Sequence, residues 1–340
     1  MTRIAINGFG RIGRLLFRQL FPMSNVEIVA VNDLGDIENL AYLLKYDTVY
    51  GRYEKTVEVK SGNLTVDGKT VKVLQVKDPA MLPWKDLNID VAVESTGFFE
   101  SFDSAKAHLA AGAKHVVISA PAKDEDGDLG RTILMGVNDK DISLVPLTSN
   151  GSCTTNAASP VIQVLSENPG IAKAVLSTVH AYTATQSIVD GPAKGHDYRR
   201  GRAAAQNISP STTGAAVAVT RAIPSLKDKF DGIALRVPVP AGSIADITFV
   251  AKRPVTAEEI NEILTKAAEE PRWKGILKVS SEQLVSSDIV GEPYGAIVDL
   301  GFTKVVDGDL VKVLAWYDNE YGYVSTLVRH ILAVAEHASR

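Results

Sequence analysis

Short β-branched runs alternate with helix-like stretches through the first third of the chain. The runs "RIAING" (3–8), "VEIVAVND" (26–33), "VAVESTG" (91–97) and "HVVISAP" (115–121) carry continuous apolar stretches, separated by segments such as "RIGRLLFRQLF" and "SAKAHLAAGA" with helical spacing. Strands that are apolar on both faces need covering on both. The pattern therefore predicts an α/β arrangement, a Rossmann-type doubly wound parallel sheet over residues 1 to about 150. From about residue 175 the pattern changes. "AVLSTVHAYT", "DGIALRVPVP", "IADITFVAKR", "GAIVDLGFTKV" and "LVKVLAWYD" read as longer strands with few helices between them. They predict a second, α+β domain built on a mixed or antiparallel sheet. Near the end, Leu327, Val328, Ile331, Leu332 and Ala335 share one helical face, as a closing helix returning to the first domain would require. The most polar stretch, 122–131, reads as an exposed loop.

A length of 340 residues accommodates two domains, and 45% apolar with 22% charged residues excludes disorder. Thirty-six Lys and Arg against 40 Asp and Glu give a net charge of −4, so no overall field attracts nucleic acid or an anionic membrane. Any anion site must be built locally. The opening apolar stretch is broken by Asn7, Gly8 and Gly10, unlike a secretory signal, and no run reaches the roughly 18 apolar residues of a membrane helix. The expectation is a cytoplasmic protein with neither nucleic-acid nor membrane partners. A single cysteine, Cys153, leaves no internal disulfide and no cysteine-ligated zinc, and no metal is expected.

Gly8, Gly10 and Gly13 form G-x-G-x-x-G where the first strand meets the first helix. The first glycine allows a tight turn, the second lets a pyrophosphate approach the backbone and the third lets helix and strand pack closely. Glycines at such turns are common without any ligand, so the context carries the weight. Asp33 ends the second strand twenty residues after Gly13, where a carboxylate accepts from ribose hydroxyls. It would repel a 2′-phosphate, which favours NAD over NADP; a simple strand cap is the alternative.

Cys153 stands in "TSNGSCTTNAASP", among hydroxyl and amide side chains just after an apolar strand. A cysteine opening a helix feels the positive end of its dipole, which predicts a lowered pKa and a nucleophilic thiolate. Pro160, seven residues on, is expected to kink the helix or displace its start. Such a nucleophile needs a base. His108, His330 and His337 fall on helical patterns, His115 opens a strand and His196 lies in a charged loop, all read as surface or packing residues. His180 ends a buried strand before the hydroxyl-rich "AYTATQ" and is the candidate, although a satisfied core histidine would fit the same pattern.

Taken together, "INGFGRIGR" (6–14), "LLKYDTVYG" (43–51), "ESTGFF" (94–99), "SNGSCTTN" (149–156), "HAYTATQ" (180–186), "TTGAA" (212–216), "RVPVP" (236–240) and "WYDNEYGY" (316–323) resemble the phosphorylating glyceraldehyde-3-phosphate dehydrogenase family, in order and over essentially the whole chain. The resemblance implies an NAD-binding domain of residues 1–152 and 319–340 and a catalytic domain of 153–318. It implies that Cys153 attacks the aldehyde, that His180 takes up the hydroxyl proton, and that inorganic phosphate cleaves the resulting thioester. Thr183, Thr185, Arg200 and Arg236 match the substrate-phosphate set, and Ser152, Thr154, Thr213 and Gly214 the inorganic-phosphate set. Arg11, Ile12, Lys77, Thr96, Ser119, Asn319 and Tyr323 match cofactor-contacting positions beside the three glycines and Asp33. Residues 182–206 resemble a loop that lies against a neighbouring subunit, which implies a homotetramer.

Some positions depart from the family pattern. Gly151 stands where alanine is usual, and Ala157, Ala158 and Ser159 where a second cysteine and two apolar residues are usual. Ser209, the segment 241–246 and the long loop "KDEDGDLGR" also differ. These changes leave room for a specialised or inhibitor-tolerant isoform. Two rivals compete with this reading: an erythrose-4-phosphate dehydrogenase, and a non-catalytic relative that binds RNA or acts as an adhesin.

Overall fold

A computed structural model of the chain describes residues 1–193 and 195–338. The chain divides into two compact units, Met1–Gly151 with Leu327–Arg340, and Ser152–Thr326.

The first unit runs β1 (Thr2–Asn7), α1 (Arg11–Leu20), β2 (Val26–Asn32), α2 (Ile37–Lys45), β3 (Val57–Lys60), β4 (Asn63–Val66), β5 (Lys69–Leu74), β6 (Val91–Glu94), α3 (Phe102–Ala105), α4 (Ala107–Ala110), β7 (His115–Ile118), β8 (Gly130–Thr132) and β9 (Leu147–Ser149). Among the described residues the strands form one sheet in the order β3-β4-β5-β2-β1-β6-β7-β9-β8. From β5 to β8 every pairing is parallel, and only β3, β4 and β5 pair antiparallel. This is the doubly wound sheet its apolar strands require: Ile4, Ala5, Ile6, Val91, Ala92, Val93, Val116, Val117 and Ile118 are fully buried. Helix α1 covers one face with Leu15, Leu16, Phe17 and Leu20, each contributing about 1.5–3 kcal/mol by leaving water.

One local expectation fails here. "SAKAHLAAGA" forms not one helix but the four-residue α3 and α4, which meet at Lys106. Ser101 and Ser104 cap the first reciprocally, and Asp124 accepts from the Phe102 and Asp103 amides. The polar stretch 122–131 is the expected exposed loop as far as Leu129, with Lys123, Glu125, Gly127, Asp128 and Leu129 exposed. Asp124 and Asp126 bind backbone amides, Gly130 begins β8, and a Cβ on Gly130 would lie 2.3 Å from the Phe102 ring.

The second unit runs α5 (Cys153–Glu167), β10 (Ile171–Ala181), β11 (Ser209–Thr212), α6 (Ala215–Ala222), β12 (Phe230–Val237), β13 (Ser243–Ala251), α7 (Ala257–Glu269), β14 (Leu277–Ser280), β15 (Ala296–Val306) and β16 (Leu310–Tyr317), with α8 (Tyr321–Ala338) beginning in it. Its strands form a mixed sheet ordered β11-β12-β10-β13-β16-β15-β14 among the described residues. Strand β13 alternates buried and half-buried residues along its whole length, the signature of a sheet with one face in a core. Helix α5 packs on this sheet. Of the two outcomes expected of Pro160, displacement of the helix start does not occur: α5 runs from Cys153 through it, because Val161, Ile162, Val164 and Leu165 beyond it are buried and hold the helix by packing.

The turn after β1 shows what each glycine does. A Cβ on Gly13 would lie 2.1 Å from the Gly8 carbonyl oxygen, whereas one on Gly10 would meet nothing within 4 Å. Gly13→Ala is therefore expected to lower the thermal midpoint by about 5 °C, through about 1–3 kcal/mol of overpacking. Gly10→Ala should leave it within about 2 °C. Differential scanning fluorimetry of both variants checks the contrast; equal midpoints would contradict the packing account.

Candidate active site

Helix α5 opens with Ser152 as its N-cap. The Ser152 Oγ accepts from the Thr155 amide (3.1 Å), and the Thr155 hydroxyl accepts from the Ser152 amide (3.2 Å). This reciprocal cap fixes the first turn, and Cys153 is its first residue, half-buried. His180 lies near the end of β10, only 3% exposed. Its Nε2 is 3.3 Å from the Cys153 Sγ. The strand register then sets the neighbours: His180 pairs with Arg236 of β12, and Arg236 pairs with Ser209 of β11.

Arg236 dominates the electrostatics. Its Nη1 is 2.6 Å from His180 Nδ1 and donates to the Ala181 carbonyl (3.3 Å), while His180 Nδ1 is 2.7 Å from that same carbonyl. A guanidinium only donates and a carbonyl only accepts, so the two compete for one ring nitrogen. With the proton on Nδ1, donated to Ala181, the Nε2 lone pair faces the sulfur, the tautomer that acts as a base. Burial, then the Arg236 charge, push the His180 pKa down to about 3. Burial also pushes the Cys153 thiol up, against the Arg236 charge and the first-turn amides. The expected net lowering by the helix terminus is thus overturned: desolvation of a thiolate outweighs the dipole. Both shifts run against a thiolate–imidazolium pair. Arg236 is itself depressed by burial and by the nearby Arg200 charge, and no carboxylate pairs with it among the described residues.

Sequence reasoning missed a hydroxyl clamp around this pair. The fully buried Tyr317 hydroxyl lies 2.9 Å from Thr154 Oγ1 and 2.6 Å from Thr178 Oγ1, and its ring meets the His180 ring edge-on. It ties the residue after the nucleophile to the strand that carries His180. Thr154, expected at a phosphate, turns its hydroxyl inward to Tyr317 and is 3% exposed. Ser243 was likewise missed. Its Oγ accepts from the Ala181 amide and donates to Asn319 Oδ1. The only local signal for any of these was the "WYDNE" string.

The other anion candidates fall into groups. Arg200 donates to Thr185 Oγ1 (3.4 Å), Ser211 Oγ (3.1 Å) and Asp197 (3.4 Å), and Thr185 meets Thr183 at 2.9 Å. Thr213 accepts from the Ala215 amide, and Gly214 caps α6 with open space where its Cβ would be. Tyr323 is buried on α8.

In the first unit a pocket of about 480 Å³ is lined by Gly8, Gly10, Asp33, Lys77 and Thr96 of the expected cofactor set. Asn7, Asn32, Val76 and Phe99 also line it. Gly10 caps α1 without a side-chain bond, and the first turn that follows, Arg11, Ile12 and Gly13, stands at the positive end of the helix, where an anion is favoured. The Arg11 side chain turns away to Asp47 (2.5 Å). Asp33 accepts from the Phe9 amide (2.7 Å) and the Gly35 amide (2.8 Å), so it orders the turn as well as facing the pocket. These features fit a dinucleotide. Ser119 follows β7 and donates its amide to the Glu94 carbonyl, outside this pocket lining. Among the described residues, no cluster of His, Cys, Asp or Glu could hold a metal ion, and no helix is long and apolar enough to cross a membrane.

Residues 2–102 match the family described as glyceraldehyde 3-phosphate dehydrogenase, NAD binding domain, and residues 152–319 the corresponding C-terminal domain. The chain is 52% identical over 329 residues to a glyceraldehyde-3-phosphate dehydrogenase of Streptomyces coelicolor, covering 96% of each. It is 48% identical over 333 residues to that of Clostridium pasteurianum, covering 97% of each. To glyceraldehyde-3-phosphate dehydrogenase 2 of Bacillus subtilis it is 46% identical over 343 residues, covering 99% of each.

The buried histidines make stability depend on pH. His330 is fully buried, its Nδ1 lies 3.1 Å from Asn150 Oδ1, and burial pushes its pKa down to about 3, as for His180. Both are neutral when folded but take up a proton below about pH 6.5 when unfolded. Their contribution is therefore complete above that pH and is lost as pH falls toward 3, at about 1.4 kcal/mol per pH unit for each. Urea unfolding between pH 6.5 and 4 should show this slope, and His330→Asn should remove about half of it; an unchanged slope would refute the account.

Proposed function

The chain belongs to the glyceraldehyde-3-phosphate dehydrogenase family, and from that premise we propose that it catalyses the NAD-dependent oxidative phosphorylation of D-glyceraldehyde 3-phosphate to 1,3-bisphosphoglycerate. The observation that carries the reading is the 3.3 Å approach of Cys153 Sγ to His180 Nε2 at the start of a helix.

In this reading Cys153 adds to the aldehyde carbon, giving a thiohemiacetal, and His180 takes the hydroxyl proton at Nε2. NAD, when bound, supplies the hydride acceptor for that oxidation. Gly8, Gly10, the Arg11, Ile12 and Gly13 amides, Asp33, Lys77 and Thr96 would hold it, with Ser119, Asn319 and Tyr323 assigned by family resemblance alone. Inorganic phosphate then attacks the thioester, forms the acyl phosphate and releases the sulfur. Arg236 and Arg200, with Thr183 and Thr185, are assigned to the substrate phosphate, and Ser152, Thr213 and Gly214 to the incoming one, the Thr154 hydroxyl being held by Tyr317. A dianion beside Arg236 offsets the charge that depresses His180, so substrate binding strengthens the base.

Cys153→Ser should abolish NADH formation, by at least about a thousandfold, while NAD binding stays measurable in a fluorescence titration. Wild-type protein should prefer glyceraldehyde 3-phosphate with phosphate present. Retained activity in the variant sinks the nucleophile, and phosphate-independent oxidation of erythrose 4-phosphate as the preferred reaction sinks the substrate.

A mechanism that depends on a free thiol suits a reducing compartment, which supports a cytoplasmic protein. Ile188, Val189, Tyr198 and Ile208, 83%, 73%, 73% and 70% exposed, form an apolar series that favours a homo-oligomer, taken as a tetramer. Light scattering after gel filtration should report four chains; a stable monomer would overturn that assignment.

A further inference from the structure

A carboxylate, an imidazole and an indole are buried together behind the dinucleotide pocket. Glu94, His108 and Trp84 are 2%, 0% and 0% exposed. The Trp84 Nε1 hydrogen bonds into His108 Nδ1 (2.9 Å). An indole N–H only donates, so the ring proton sits on Nε2, which donates to Glu94 Oε2 (3.0 Å). The Asn7 side-chain amide donates to the same oxygen (2.6 Å). The other oxygen, Oε1, accepts from both the amide (2.8 Å) and the hydroxyl of Thr96. Asn7 passes the constraint on. Its Oδ1 accepts from Asn32, and Asn32 clamps Val76 through both its amide (2.9 Å) and its carbonyl (2.9 Å).

One carboxylate thus pins the ends of β1, β2 and β6 and the segment at Val76, and Asn7, Asn32, Val76 and Thr96 all line the pocket. We propose that the Glu94–His108–Trp84 chain is a positioning device for the dinucleotide, holding from behind the backbone segments that the cofactor touches. It acts through other groups, since its three members stand behind the lining residues. A network serving stability alone has no need to end on pocket-lining groups, and every polar atom of this network has a partner whose loss leaves another buried and unsatisfied.

The inference rests on the NAD-dependent reading, so the wild-type dissociation constant for NAD is measured first; absence of binding would sink that reading, not this one alone. Glu94→Gln places an amide donor against His108 Nε2–H and the Asn7 amide. It should weaken NAD binding by about tenfold or more, while kcat at saturating NAD and the KM for the aldehyde stay within about threefold. His108→Gln can still accept from Trp84 and donate to Glu94, and should bind NAD within about twofold of wild type. His108→Leu can do neither, and should lose about tenfold. Should Glu94→Gln fail to fold, the two His108 variants decide. Equal NAD affinity in them overturns the proposal, as does a fall in kcat with unchanged NAD affinity.

Discussion

Arg236 is a cation on a half-buried strand with an imidazole where a carboxylate would ordinarily stand. Its position follows from strand register, which sets Ser209, Arg236 and His180 side by side across β11, β12 and β10. Burying such a charge without an anion is costly. The cost is expressed in the neighbours: His180 stays neutral, and Arg236 itself is depressed. In the proposed reaction a phosphate ester would relieve all of this together, because two of its oxygens can accept side by side from the planar guanidinium. The second unit is thus electrostatically incomplete until an anion arrives.

The first unit works the other way. Its buried Glu94 is met by protein donors on both oxygens, and through them the segments lining the pocket are tied together. Cofactor recognition draws on preorganisation, which lowers the ordering penalty of binding. In the proposed reaction substrate recognition would draw instead on the Arg236 charge, and the Cys153–His180 pair would respond to its occupancy. Both strategies follow from where polar residues lie relative to strand ends in a parallel sheet and in a mixed one.

What the sequence revealed was local. The three glycines and Asp33 announce the dinucleotide turn because each acts within a few residues of its neighbours, and Cys153 stands out by its polar flanks. The two sheets are legible because a doubly covered strand and a half-covered one differ in apolar pattern. What it concealed is tertiary. Thr154 and Tyr317 are 163 positions apart and Ser243 and Asn319 are 76 apart, so no spacing rule joins them. His108 looked like a packing residue because nothing nearby in sequence names Glu94 or Trp84 as its partners. The sign of the Cys153 shift was misread for the same reason. A helix dipole can be inferred from a cap sequence, whereas the depth of burial that outweighs it cannot.

That raised thiol bears on durability. Peroxides and alkylating agents react with thiolates, and a cysteine held as a thiol meets them slowly. The chain has a single cysteine, so a sulfenic acid formed there would find no second thiol within the molecule to condense with, and its reduction would depend on a thiol from outside. Burial thus works against irreversible oxidation, and an anion beside Arg236, by offsetting the one nearby charge that favours the thiolate, adds to that protection.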